Sequence, residues 1–441
     1  MNLRIFIFVS CVLTAVPIPE GWAKIYIDIT QVSTNSFPIG IVPPVRDGGN
    51  EDPNHLHQEF TRIVRNDLGL MGVFRLIEEG AFLEDSRKKA YLVKDIAFAS
   101  WALLDALALV KGWYRVDGQK FTIELHLFDV LAKSELMYKR YETTTEQIQT
   151  VAHKFANEIV KVLSGEEGIF DTKIAFLCKP KSLKEKELCM MNFDGSKVYQ
   201  ITTDRSIVLS PKWAKNGNSI YYTSFGAGKT PQLYRYDLFR PPPIKVTTFK
   251  GMVIGISLDP LENLLATSLA KDGIATELYL IGMDGVIRQR LTFNNDIDVS
   301  GSFSPDGKQL VFVSNREGSP QIYKMDRNGQ NVARLTFKGN NNTAPAWSPR
   351  GDKILFAGMD TDGHFDIFSM NVDGSGMVRL TYDTKNNEEP SWSPGGELIT
   401  FASDRTGKYQ IWSMRPDGSK QMQLTKEPWE HRMPAWGPKQ K

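Results

Sequence analysis

A repeat dictates the architecture of the second half of this chain. An aliphatic residue followed by threonine recurs at Ile201-Thr202, Val246-Thr247, Leu291-Thr292, Leu335-Thr336, Leu380-Thr381 and Leu424-Thr425, in steps of 44 or 45 residues. A second marker keeps the same step: Trp213, Leu258, Phe303, Trp347, Trp392 and Trp436. Two markers in phase over six copies define one supersecondary unit, repeated, whose apolar faces are covered by its neighbours.

Each unit reads as four short strands. In the clearest copy Ser302-Phe303 leads into Ser304-Pro305-Asp306-Gly307, where proline presets a turn and glycine takes the positive-φ position. Gln309–Ser314 is an apolar, β-branched run ending in the loop Asn315–Gly318. Gln321–Met325 is a third strand, Asn328-Gly329 a hairpin signal, and Arg334–Thr336 the fourth strand. Four strands in this length, repeated radially, form a propeller blade. Thr172–Cys178, Leu188–Asn192 and Val198–Thr202 supply a blade that lacks its first strand, and Pro434-Ala435-Trp436 is a first strand with nothing after it. Joining the two closes six blades without a free edge. An open solenoid would need polar capping repeats, and none is visible.

The first half lacks the repeat. Phe37–Val42 reads as a strand, His57–Leu68 as an amphipathic helix, and 100–109 as a helix running into a strand. Phe121–Val130 and Glu135–Tyr141 read as a hairpin, and Thr145–Leu163 as a helix with Ile148, Val151, Phe155, Ile159 and Val162 on one face. The expected fold is an α/β N-terminal domain followed by an all-β six-bladed β-propeller. Residues 1–23 read as a cleaved signal peptide: Arg4, the apolar run Ile5–Val16, then Gly21-Trp22-Ala23. Cys11 sits in a poor lipobox, so the mature chain is expected to start at Lys24 without a lipid. The α/β domain then covers 24–165, a linker signalled by Gly165-Glu166-Glu167-Gly168 occupies 166–171, and the propeller spans 172–441.

A net charge of +2 and the absence of a basic stripe speak against nucleic acid, and no second apolar stretch is long enough to span a membrane. Cys178 and Cys189 are left after cleavage; an oxidising compartment permits a bridge, and two buried thiols are an equal alternative. No catalytic residues are expected: G-x-S-x-G and H-E-x-x-H are both absent. His55 and His57 lack a third ligand at metal spacing, and the Asp-Gly pairs at 194, 284, 373 and 417 are explained by turn chemistry without calcium. No metal or cofactor is therefore expected.

A propeller's meander places the Ser-Pro-Asp-Gly and Asp/Asn-Gly turns on one side and the blade-to-blade connections on the other. The second side varies from blade to blade, and irregular loops on a rigid scaffold are where binding is usually placed. The candidate binding residues there are Asp298, Ser300, Asn341, Asn342, Thr343, Asn387, Glu388, Glu389, His431 and Arg432.

The blade pattern of Trp347-Ser348-Pro349-Arg350-Gly351, Ile367-Phe368-Ser369-Met370 and Asp373-Gly374 resembles the repeat of TolB propellers. The combination is more specific: an export signal, Ile25-Tyr26-Ile27-Asp28, Pro38-Ile39-Gly40-Ile41-Val42-Pro43, and Phe170–Ala175 leading into six blades. The resemblance covers essentially the whole mature chain. It implies a periplasmic part of the Tol-Pal system that binds the lipoprotein Pal through the variable propeller face. It also implies contact with TolA through Lys24, Ile25, Tyr26, Ile27, Asp28 and Ile29, a segment that alternates apolar and polar residues as an added strand would. Outer-membrane integrity and constriction at division are the implied roles, with room for other outer-membrane proteins as partners and a monomer as the working state. The apolar Met252–Ile256 and Pro241-Pro242-Pro243 depart from the family pattern. The rival readings are a propeller enzyme of lyase or peptidase type, and a generic carbohydrate- or peptide-binding propeller.

Overall fold

The computed structural model describes residues 36–439 apart from 53, 86–88, 90, 180–184, 204, 227, 229, 248–250, 262, 271–274 and 383–384. The signal segment, Cys11 and the Lys24–Ile29 segment lie outside the described residues.

Apolar alternation and two amphipathic helices build the first domain. In chain order it comprises β1 (Phe37–Ile41), β2 (Val45–Gly49), α1 (Leu56–Met71), β3 (Phe74–Leu76), α2 (Phe98–Ala102), β4 (Ala108–Asp117), β5 (Lys120–Asp129), β6 (Ser134–Thr144) and α3 (Ile148–Ser164). The sheet runs β3-β1-β4-β5-β6, with β2 also pairing β4; β1 is parallel to β3 and β4, and β4-β5-β6 is an antiparallel meander. Phe60, Val64 and Leu68 of α1 and Phe155, Ile159 and Leu163 of α3 pack with Ile39, Val110, Ile123 and Leu125 of the sheet. Such burial contributes about 1.5–3 kcal/mol per large apolar side chain. Gly165 ends α3 in the left-handed region, where a glycine costs least.

The second domain is the six-bladed propeller. Blade 1 joins the last strand, His431–Trp436, to β7 (Lys173–Cys178), β8 (Glu187–Asn192) and β9 (Tyr199–Gln200), with Trp436 opposite Ile174 and His431 opposite Cys178. Blades 2 to 6 are continuous four-stranded antiparallel meanders over 208–245, 252–290, 298–334, 342–379 and 387–423. The fold class expected from the repeat is the fold observed. Cys178 and Cys189 form a disulfide across β7 and β8, which settles the alternative left open by the sequence.

The repeated residues hold blade to blade. In every blade the threonine of the aliphatic-Thr pair accepts the N–H of a residue near the start of the third strand at 2.9–3.0 Å. Its own hydroxyl donates to the residue before: Glu187, Gln232, Glu277, Gln321, Asp366 or Gln410. Those acceptors also reach into the following blade, where Asn342 donates to Gln321 at 2.8 Å, Asn387 donates to Asp366 at 3.0 Å, and His431 pairs with Gln410 at 3.1 Å. The turn glycines complete the joint. A Cβ on Gly195, Gly285, Gly329 or Gly418, all at positive φ, would lie 2.1–2.5 Å from a carbonyl oxygen of the preceding blade. Both turn conformation and close approach therefore require glycine there.

The α/β domain docks on the turn-bearing face at blades 1 and 6. His153 of α3 bonds Asp67 of α1 at 2.7 Å and lies 3.9 Å from Asp194 in the blade 1 turn, while Gln149 donates to Ser196 at 2.9 Å. Burial pushes the Asp67 carboxyl up to about 6, with His153 opposing. Gly72, just past α1, packs on Arg415 in the blade 6 turn. The loop-bearing face is on the opposite side.

Candidate functional site

Each innermost strand carries one residue in the left-handed region: Ser210, Gly255, Ser300, Ala344, Glu389 and Met433, at φ 50–65°. The ladder to the second strand skips there in all six blades, so each strand bulges at the same level. These six residues, with Pro211, Pro345, Pro390 and Pro434, line a cavity of about 130 Å³ on the propeller axis. Non-glycine residues in this region cost of order 1–3 kcal/mol each and persist where packing over-determines them.

Above that ring, towards the loop face, sits a charged cluster. Arg432 donates to Glu388 at 2.6 Å, lies 3.0 Å from Glu389, and places its guanidinium 4.0 Å from the centre of the Tyr409 ring. Tyr409 donates to Glu388 at 2.5 Å, and the Met433 N–H donates to Glu389 at 2.6 Å. Burial raises the Glu389 carboxyl above its ordinary range, with the Arg432 charge opposing.

The ten residues expected on this face separate into two groups. Asp298, Asn342, Asn387 and His431 are 0–2% exposed. They occupy one equivalent position, the first of each innermost strand, and their polar atoms point into the protein, where all but the His431 Nε2 find hydrogen-bond partners. Asp298 accepts from Asn294 at 2.7 Å and from Arg316, and Asn387 also accepts from Arg405 at 2.6 Å. His431 packs on Phe176, and burial lowers its imidazole to about 4 against the pull of Glu427. These four side chains are not offered to a partner. The polarity that made them resemble loop residues belongs to the joints between blades. Ser300, Asn341, Thr343, Glu388, Glu389 and Arg432 are partly exposed around the mouth.

The same face displays residues that sequence reasoning missed. Phe293, Phe337 and Tyr382 are 75%, 74% and 71% exposed, each directly after an aliphatic-Thr pair on three consecutive blades. Arg290, Arg334 and Arg379 lie over these rings at 4.9, 5.0 and 5.3 Å. Each arginine also donates to the carbonyl of the intervening threonine, which fixes it beside the ring. The signal was present as Arg-Leu-Thr-Phe, Arg-Leu-Thr-Phe and Arg-Leu-Thr-Tyr, but the repeat was read for its buried positions only.

In the α/β domain, a cleft of about 1040 Å³ is lined by Arg46, His57, Arg62, Arg65 and Tyr114, among others. His57 lies in it stacked on Tyr114 at 4.9 Å, its Nδ1 3.0 Å from Asp52. Among the described residues no group of three or more His, Cys, Asp or Glu side chains is placed to hold a metal ion, and no helix is long and apolar enough to cross a membrane.

Comparison with known proteins bears on both halves. Residues 25–136 match the TolB amino-terminal domain and residues 160–440 the TolB beta propeller domain. The chain is 35% identical over 264 residues to a protein TolB homolog of Chlorobium chlorochromatii, a match spanning 59% of this chain and 58% of that relative. It is 30% identical over 310 residues to the homolog of Chlorobium luteolum, covering 68% and 67%. A Tol-Pal system protein TolB of Syntrophotalea carbinolica is 37% identical over 162 residues, 37% of each chain. The crystal structure of TolB from Acinetobacter baumannii superposes with a TM-score of 0.79 at 26% identity, over 92% of this chain and 97% of that one. With both domains matched in order and the whole architecture reproduced, this chain belongs to the TolB family.

Proposed function

We propose that the protein is a non-catalytic scaffold of the Tol-Pal system in the periplasm, binding the lipoprotein Pal on the loop face of its propeller and TolA through Lys24–Ile29. Relatives named as Tol-Pal system proteins support the system. The observation that carries the choice of face is the row of exposed, arginine-backed aromatics on blades 3, 4 and 5, opposite the docked α/β domain. Aromatic and arginine side chains dominate the energetics of protein interfaces. At the channel mouth, Glu388 and Glu389 are committed to Arg432 and Tyr409, an arrangement that suits a shaped polar rim better than a proton-transfer site. Support for outer-membrane integrity and constriction at division would follow from linking the two partners. Calorimetry with a chain lacking Lys24–Asp28 tests the division of labour: TolA binding is expected to disappear and Pal binding to persist. Unchanged TolA affinity in that deletion would contradict the assignment of the segment.

A further inference from the structure

The other end of the propeller channel has a different chemistry. The residue just before the anchor at the end of each innermost strand is Lys212, Ser257, Ser302, Ala346, Ser391 or Ala435. Lys212, the three serines and Ala435 line one chamber of about 320 Å³ at the turn-bearing end, walled by Trp213, Phe303 and Trp436. Its lining holds no acidic side chain; the two charged residues are Lys212 and Lys215, both cationic.

The hydrogen bonding leaves this chamber rich in donors. Ser257 accepts the N–H of Phe303, Ser302 that of Trp347 and Ser391 that of Trp436, each at 3.1 Å from the next blade. A hydroxyl that accepts in this way still has its own proton to donate, and among the described residues no side chain or carbonyl takes it. Lys212 likewise finds no acceptor there, and it lines both this chamber and the axial cavity above. The Lys212 side chain is half-buried along the hollow axis. Burial lowers its pKa with no acid in opposition. A partly desolvated cation gains from a counter-charge, so an ammonium and three hydroxyl donors around an axis call for an acceptor-only ligand. An oxyanion offers such groups acceptors only, through charge-assisted hydrogen bonds that are stronger than neutral ones.

We propose that the turn-side chamber of the channel is a binding site for a small oxyanion of the phosphate or carboxylate class, held by Lys212 with Ser257, Ser302 and Ser391. The site is independent of the partner surfaces above, since it opens at the other end of the axis. Inorganic phosphate and acetate are the probes, with chloride at matched ionic strength as the reference. Thermal unfolding of the full chain at pH 7 should rise by about 2–4 °C at a phosphate concentration roughly ten times Kd. Lys212→Met should fold, melt no lower than the wild type in chloride, and lose that rise apart from the increment phosphate gives through general exclusion from protein surfaces. Titration calorimetry on the wild-type chain supplies a measurement free of any folding defect: saturable phosphate binding, weakened several-fold in Ser302→Ala, is expected. Acetate competing with phosphate would mark a site for oxyanions in general, and its failure to compete a site for the tetrahedral anion. An equal phosphate effect in wild type and Lys212→Met, or no saturable binding to the wild type, overturns the proposal.

Discussion

The two faces of the propeller are built from the same six units yet obey different constraints. On the turn-bearing face a Cβ at any of four turn glycines would meet a carbonyl of the preceding blade, and the turns at Asp194 and Arg415 also meet the α/β domain. Asp/Asn-Gly turns in five of the six blades are the consequence, with Pro241-Pro242-Pro243 replacing the turn in blade 2. On the loop-bearing face the connections run from the outermost strand of one blade to the innermost of the next, and only their ends are fixed, by the threonine and by the first residue of the following strand. Between those ends the chain is free to differ, and there Phe293, Phe337 and Tyr382 stand exposed. Buried regularity marks the joints, and the exposed ring that follows the aliphatic-Thr pair on blades 3 to 5 marks the surface left for partners.

Four substitutions separate joint from surface. Trp436→Ala should have the largest effect, about 3–5 kcal/mol in urea unfolding. It empties the closing blade and removes the bond from the indole N–H to Thr172 at 2.8 Å. A truncated indole that left stability unchanged would remove ring closure as a source of stability. His431→Asn places at blade 1 the residue that Asn342 and Asn387 supply to blades 5 and 6. The folded-state pKa of His431 is depressed, to about 4 from 6.5. Its contribution is therefore fully present above about pH 6.5 and lost as pH falls through 4. Between pH 7 and 4 the wild type should lose of order 2–3 kcal/mol more than the variant; parallel pH profiles would contradict the assignment. Asn387→Ala strips partners from Asp366 and Arg405 and should cost about 1–3 kcal/mol, although the sequence places it among loop residues. Asp373→Asn, in an exposed turn whose carboxylate accepts from Ser375, should change stability by less than about 0.5 kcal/mol.

Periodicity made the propeller legible, because a strand repeat of fixed length has few ways to close and both loose ends were visible at Thr172–Cys178 and Pro434–Trp436. The helices α1 and α3 were legible for the same reason, with observed bounds of Leu56–Met71 and Ile148–Ser164. The short strands β2 and β3 were not, since Val45–Gly49 and Phe74–Leu76 lack alternation long enough to signal a strand. The site was half legible. Asp298, Asn342, Asn387 and His431 looked like solvated loop residues because their partners are non-local: the last three bond Gln321, Asp366 and Gln410 some 20 residues earlier, and Asp298 bonds Arg316 18 residues later. Lys212 was hidden differently. Its position in the repeat was readable, but the absence of an acid at that level of the axis required all six innermost strands together.

The central claim is that the loop-bearing face binds the Tol-Pal lipoprotein. Its most direct test is the Kd of the purified chain for Pal from the same organism, measured by calorimetry for two variants of unchanged melting temperature. Phe293→Ala with Phe337→Ala and Tyr382→Ala should raise Kd at least about tenfold, roughly 1.4 kcal/mol or more, while Asp373→Asn with Asp417→Asn on the opposite face should leave it within about twofold. Loss of affinity from the turn-face pair with the aromatic triple variant unaffected would put the lipoprotein on the other side of the propeller.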